Sequence, residues 1–183
     1  MGQNRQPNEE KFKELLIYIA LCSEGDDSFG AVKLNKLLFH SDFLAYLRLG
    51  KAMTWFEYQA LPNGPAPTKL VPIREELRQE GAIAERQESY FGYDQYRILA
   101  LRRPNLKLFL PEEVDIVRQV IDHWWGRNAS EISDFSHRLL GWRLASQGET
   151  IPYGSALIGS RKPSKREMEH GLGLADHAAS LLF

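Results

Sequence analysis

The sequence predicts an α+β domain that is mostly helical, with a small strand and hairpin set in a winged-helix-like order. Three observations predict it. Apolar residues recur at helical spacing over 8–22, 30–48 and 110–125. β-prone residues alternate over 55–61 and again on either side of a glycine turn within 83–101. Between the first strand and the third helix, Pro62-Asn63-Gly64-Pro65-Ala66-Pro67 packs three prolines and a glycine into six positions. With 183 residues the chain suits one domain with an appendage. We place the domain at 8–159 and a C-terminal extension at 160–183.

The first helix, 8–22, has Asn8 as its expected N-cap and Glu9 and Glu10 at its positive start. Phe12, Leu15, Leu16, Ile19 and Ala20 form its apolar stripe. Asp27 or Ser28 is the expected cap of the second helix, about 30–48, which Gly50 ends. Leu34, Leu37, Leu38, Ser41 and Ala45 share one face of it. Val32, Phe39, Phe43 and Tyr46 widen that face, so the helix is expected to be central and buried on much of its circumference. A strand follows from Trp55 to Leu61. The proline-rich corner then sets the angle to a third helix, capped by Thr68, with Pro72 in its first turn and Gly81 at its end.

Residues 83–101 read as a hairpin around Gly92. Pro111, Glu112 and Glu113 open a strong helix whose apolar side is Val114, Val117, Val120, Ile121, Trp124 and Trp125. Gly126-Arg127-Asn128 break it, and Ser130 is the expected cap of a short helix to about His137. Residues 140–159 read mostly as loop. The extension has a basic start, a candidate cap at Ser164, and a rough helical stripe of Leu172, Ala175, Ala179 and Leu182.

Composition excludes several classes. A formal net charge of −1 gives no broad positive field for non-specific nucleic-acid or acidic-membrane binding. Cys22 is alone, so it forms no intrachain disulfide and founds no cysteine zinc site. No signal-peptide core and no membrane-length apolar run is present, so a cytoplasmic location is expected. The five histidines fit no metal-ligand spacing, and no GxGxxG or P-loop occurs, so we expect no metal and no cofactor.

Three blocks carry a resemblance. They are Lys33–Tyr46 (KLNKLLFHSDFLAY), Glu57–Pro67 (EYQALPNGPAP) and Ser130–Trp142 (SEISDFSHRLLGW). Together, in this order, they resemble the Panacea domain of the SocA-like antitoxins, also known as phage-associated proteins. The matching residues are Lys36, Leu37 and Leu38 in the first block, and Tyr58, Ala60, Gly64 and Pro65 in the second. In the third they are Ile132, Ser133, Ser136, His137 and Trp142. Phe39-His40 departs from the family, which often has Tyr and an apolar or aromatic residue there. The resemblance implies a non-enzymatic antitoxin that neutralises a cognate toxin by direct binding. A variant of that role is a proteolytic adaptor, with a protease or chaperone as a further partner.

The residues themselves are consistent with that implication. Gly and Pro have no acid, base or nucleophile, so the Asn63-Gly64-Pro65 corner reads as structural. Ser133, Asp134, Ser136 and His137 lie close in sequence, and a hydrolase using His137 is one reading. Without a GxSxG elbow the preferred reading is a partly buried, hydrogen-bonded His137 that docks its helix beside Trp142. Arg97, Arg102, Arg103 and Lys107 form a basic strip that a winged-helix-like DNA-binding regulator would lay on a phosphate backbone. The alternative is a solvated face with salt bridges, since the preceding helix mixes both signs of charge. Two apolar features are the candidate partner surfaces. One is the hairpin-tip cluster Tyr90, Phe91, Tyr93 and Tyr96, which either anchors an interface or packs on its own helices. The other is the extension with Leu172 and Leu182, which either folds back, orders on a partner, or is presented to a protease.

Overall fold

The computed structural model describes residues 6–158 other than 91. Among the described residues there are six α-helices and two antiparallel two-stranded sheets. The first helix, α1, is Glu9–Cys22, and Asn8 caps it by accepting from the Lys11 amide at 2.9 Å. The second, α2, is Ala31–Leu49, and Gly50 ends it at φ 71°. Its N-cap is Gly30, not Asp27 or Ser28, because Ser28 is turned inward to Asp26 and Lys33.

The proline-rich corner is itself a hairpin. Strand β1, Tyr58–Leu61, pairs with β2, Gly64–Pro67, so Tyr58 faces Pro67 and Leu61 faces Gly64 across a Pro62-Asn63 turn. Pro65 and Pro67 donate no hydrogen bond, which an edge strand tolerates. On its other side β1 meets residues 148–151, with Ala60 N–H donating to Glu149 at 2.9 Å and Ile151 N–H donating to Tyr58 at 2.7 Å. The strand begins at Tyr58 instead of Trp55, whose φ of 56° interrupts the extended run.

Helix α3, Leu70–Gln79, follows with Lys69 rather than Thr68 at its N-cap, and Pro72 sits in its first turn as expected. Strands β3, Ile83–Tyr90, and β4, Tyr93–Ala100, form the second hairpin, with Gly92 at φ 82°. Helix α4 is Pro111–Trp124. Its N-terminus is closed by Glu113, which accepts from the Leu110 amide at 2.9 Å and pairs with Lys11 at 2.6 Å. Trp124 is buried, whereas Trp125 lies past the helix end and is half exposed. Helix α5 is Ala129–Ser136, capped by Asn128 and Glu131 instead of Ser130. Helix α6 is Leu140–Leu144, and a 3-10 turn covers Tyr153–Leu157.

Helix α2 is the central element, in contact with α1, α4, α5, β2, β4 and the 3-10 turn. Leu34, Leu37, Leu38, Phe39 and Ala45 are buried as expected, while Val32 is exposed. Phe12 stacks on Phe56 at 3.9 Å, joining α1 to the segment before β1. Two polar networks are threaded through this core. Lys33, 1% exposed, donates to Asp26 at 2.6 Å and to the Trp124 and Arg127 carbonyls at 2.7 Å, so it closes the C-terminus of α4. Burial works against the Asp26 charge, but Lys33 and Ser28 outweigh it and hold the carboxyl below its ordinary range. Asp42 accepts from the Thr54 amide at 2.9 Å, from the Thr54 hydroxyl, and from Tyr58 Oη at 2.8 Å. No helix among the described residues is long and apolar enough to cross a membrane.

Candidate functional site

The three sequence blocks meet around one buried ammonium. Lys36, on the inner face of α2, is 1% exposed and donates to the Pro65 carbonyl at 2.8 Å. Among the described residues it has no carboxylate partner, and burial pushes its amine down to about 8. Gly64 has φ 92°, and a Cβ there would lie 3.0 Å from Lys36 Cε and 3.2 Å from Nζ. The position therefore needs glycine twice, for its backbone conformation and for the approach of the lysine. Ser133 Oγ donates to the Asn63 carbonyl at 3.0 Å, and Trp142 Nε1 donates to the Leu61 carbonyl at 3.1 Å. The turn between β1 and β2 is thus held by α2, α5 and α6 together. Tyr58, fully buried, braces the far end of the hairpin through Asp42.

The serines and histidines of α5 do not assemble as the hydrolase reading requires. Asp134 is exposed and makes no hydrogen bond to His137. His137 does lie beside Trp142, stacked at 4.1 Å and 26°. Contrary to expectation it is not hydrogen-bonded through Nε2, which is buried without a partner among the described residues. The serine–histidine contact that exists joins Ser136 Oγ to His40 Nε2 at 3.2 Å. Ser136 is wholly buried and gives its proton to the Ile132 carbonyl at 2.8 Å. The contact therefore requires His40 Nε2 to carry hydrogen and donate, which is the reverse of a general base. Burial, with the Lys36 ammonium nearby, pushes His40 down to about 3, so the ring is neutral. Among the described residues no group of three or more His, Cys, Asp or Glu is placed to hold a metal ion.

Outside this cluster lies an open apolar groove of about 760 Å³ between α2, α4, α5, α6 and the 3-10 turn. Its floor includes Phe39, Phe43 and Val120, and its wall carries His40 between Trp124 and Phe135, at ring distances of 5.7 Å. Leu47, Phe135 and Ile158 stand at its rim with 49%, 41% and 55% of their surface exposed. Its polar lining groups include Arg48, Gln119, His123 and Arg138, and among the described residues no carboxylate lines it. Sequence reading did not find this groove, because it is assembled from elements far apart in the chain.

The other expected contacts fare differently. Phe91, Leu172 and Leu182 lie outside the described residues, as do the side chains of Tyr90 and Tyr93. Tyr96, on the same hairpin, is half exposed. The basic strip is divided: Arg97 is buried and donates to the Glu24 carbonyl, and Arg102 grips Glu14 with two bonds at 2.8 and 2.5 Å. Only Arg103 and Lys107 of that strip are free of such ties among the described residues.

No curated protein and no solved structure matches the chain. A family model does, that of the antitoxin SocA-like, Panacea domain, over residues 34–143. The match runs from Leu34 in α2 to Arg143 in α6, more than half of the chain, and takes in the hairpin, α5 and the packing around Lys36. The chain belongs to the SocA-like antitoxin family that carries the Panacea domain.

Proposed function

We propose that this protein is the antitoxin of a bacterial toxin–antitoxin pair and neutralises its toxin by binding it directly. Family membership carries the reading. The chemistry of the chain supports it. The Lys36 and Trp142 side chains are spent inside, on holding the β1–β2 hairpin, and Ser133, Ser136 and His40 beside them are tied to carbonyls or to each other. What the surface offers is apolar area, the currency of protein association. The contacts we assign to the toxin are Tyr90, Phe91 and Tyr93 at the end of the second hairpin, and Tyr96 of the same hairpin is half exposed. Aromatic rings bury much area for few frozen torsions. Binding of nucleic acid is disfavoured by the internal use of Arg97 and Arg102.

Co-expression with the neighbouring reading frame tests the function. The neighbour alone should arrest growth, this chain should restore it, and the two should elute as one complex on gel filtration. A harmless neighbour, or one that stays lethal beside this chain, defeats the reading. Replacing Tyr90, Phe91 and Tyr93 together with serine should abolish rescue while the thermal midpoint holds.

A further inference from the structure

We propose that the C-terminal segment of this chain, within residues 164–183, seats its apolar stripe in the groove between α2, α4 and α5. Three observations converge on that occupant. The first is position. Ile158 lies on the groove rim and residues 159–183 follow it directly, so the segment is tethered at the site it would fill. A tether of this length gives a local concentration of roughly millimolar, so even weak affinity fills the groove most of the time. Thirteen residues lie between Ile158 and Leu172. That connector spans up to about 45 Å when extended, and returning it to its origin costs little more than closing a shorter loop.

The second observation is pattern. Leu172, Ala175, Ala179 and Leu182 recur at helical spacing, and a helix-lined apolar groove accepts such a stripe. The third is charge. The groove's lining contains Arg48 and Arg138 and no carboxylate among the described residues. Residues 167–183, which hold the stripe, contain Glu167, Glu169 and Asp176 and no lysine or arginine, and Lys165 and Arg166 stand before them. Apolar centre and charged edge therefore match on both sides, as a docked pair requires.

This arrangement places Leu172 and Leu182 on their own domain in the free protein, rather than on the toxin. It covers the exposed surface of Leu47 and Phe135 that would otherwise invite self-association. A partner that uses the groove must first displace the segment.

A spin label on the full chain tests the assignment. The label is carried by Ser180→Cys in a Cys22→Ala background, and amide signals are followed by NMR. Signals of Leu47, Phe135 and Ile158 should broaden past detection, and they should return when Leu172→Asp and Leu182→Asp are added. A sample mixing isotope-labelled chain without spin label and spin-labelled chain without isotope should show no loss. Intact groove signals, broadening centred on another surface, or broadening in the mixed sample would overturn the proposal, the last by showing a second copy in the groove. Nuclear Overhauser contacts from Leu172 or Leu182 methyls to Phe135 repeat the test in the unsubstituted chain, where their absence is equally decisive.

Discussion

Lys36 holds a charge in a desolvated site with one carbonyl beside it, so its replacement by methionine is informative. Burial pushes its amine from 10.5 in the free chain to about 8 in the folded one. A depressed amine value means that the folded state resists protonation more than the unfolded state does. The penalty is complete below the folded value and is relieved as pH rises toward the unfolded value. For this one group, linkage makes the fold more stable by about 2 kcal/mol on going from about pH 7 to about pH 9.5. Lys36→Met keeps most of the side-chain volume and removes the charge. At neutral pH it relieves the desolvation, but it also leaves the Pro65 carbonyl unpaired at a cost of about 1–3 kcal/mol, so the net change there is small. The slope is the discriminating quantity. Urea unfolding of both proteins across that pH range should show the wild type gaining about 2 kcal/mol relative to the variant. Cys22 and the buried tyrosines titrate in both proteins and cancel in the difference. Parallel profiles would refute the reasoning, because they would mean that the ammonium is solvated or paired in solution.

Two further outcomes follow from the same packing. Gly64→Ala forces a Cβ to within 3.0 Å of Lys36 at a φ of 92° and should lower stability by about 2 kcal/mol or more, read as a fall in thermal midpoint. At Glu14, the bonds from Arg102 hold the carboxyl below its ordinary range against the opposing effect of burial. Its stabilisation is therefore present above the unfolded carboxylate value of 4.5 and lost as pH falls through the folded one. Glu14→Gln should cost about 1 kcal/mol at neutral pH, discounted for the partial exposure of Arg102, and should flatten the acid limb of the stability profile. An unchanged acid limb would show that this pair contributes nothing.

The order and type of nearly every element were legible, because the apolar periodicity of α1, α2 and α4 and the turn at Gly92 are local signals. What stayed hidden depended on distant partners. Ser28 has the chemistry of a cap, yet the Lys33 ammonium and the Arg127 carbonyl draw it inward, and Gly30 takes its place. The segment Gly64–Pro67 reads as a corner because prolines argue against a strand. Its pairing with β1 needs only an edge position, which sequence does not reveal. Lys33 and Lys36 sit at helical spacing on the apolar face of α2, and lysine on such a face ordinarily marks its border. Here the free carbonyls at the end of α4 and at Pro65 give each ammonium a place inside. At the candidate site, the neighbourhood of His137 and Trp142 was legible, while the true serine–histidine contact, through His40, was not.

The burial of the signature residues separates two tasks within one chain. Lys36, Gly64, Pro65, Ser136 and Trp142 act on one another, fixing how the first hairpin meets α2, α5 and α6. A toxin approaching from solvent meets none of Lys36, Tyr58 or Ser136, each at most 1% exposed. On the reading proposed above, it meets the end of the second hairpin instead. Exposed positions tolerate substitution within a few tenths of a kcal/mol, whereas changes around Lys36 cost several times more. The same internal frame can therefore carry different surfaces without refolding, and on the proposed reading partner choice falls to exposed residues such as Tyr96. On this account, exchanging those exposed residues redirects binding at constant stability, and exchanging the buried ones destroys stability before it alters binding.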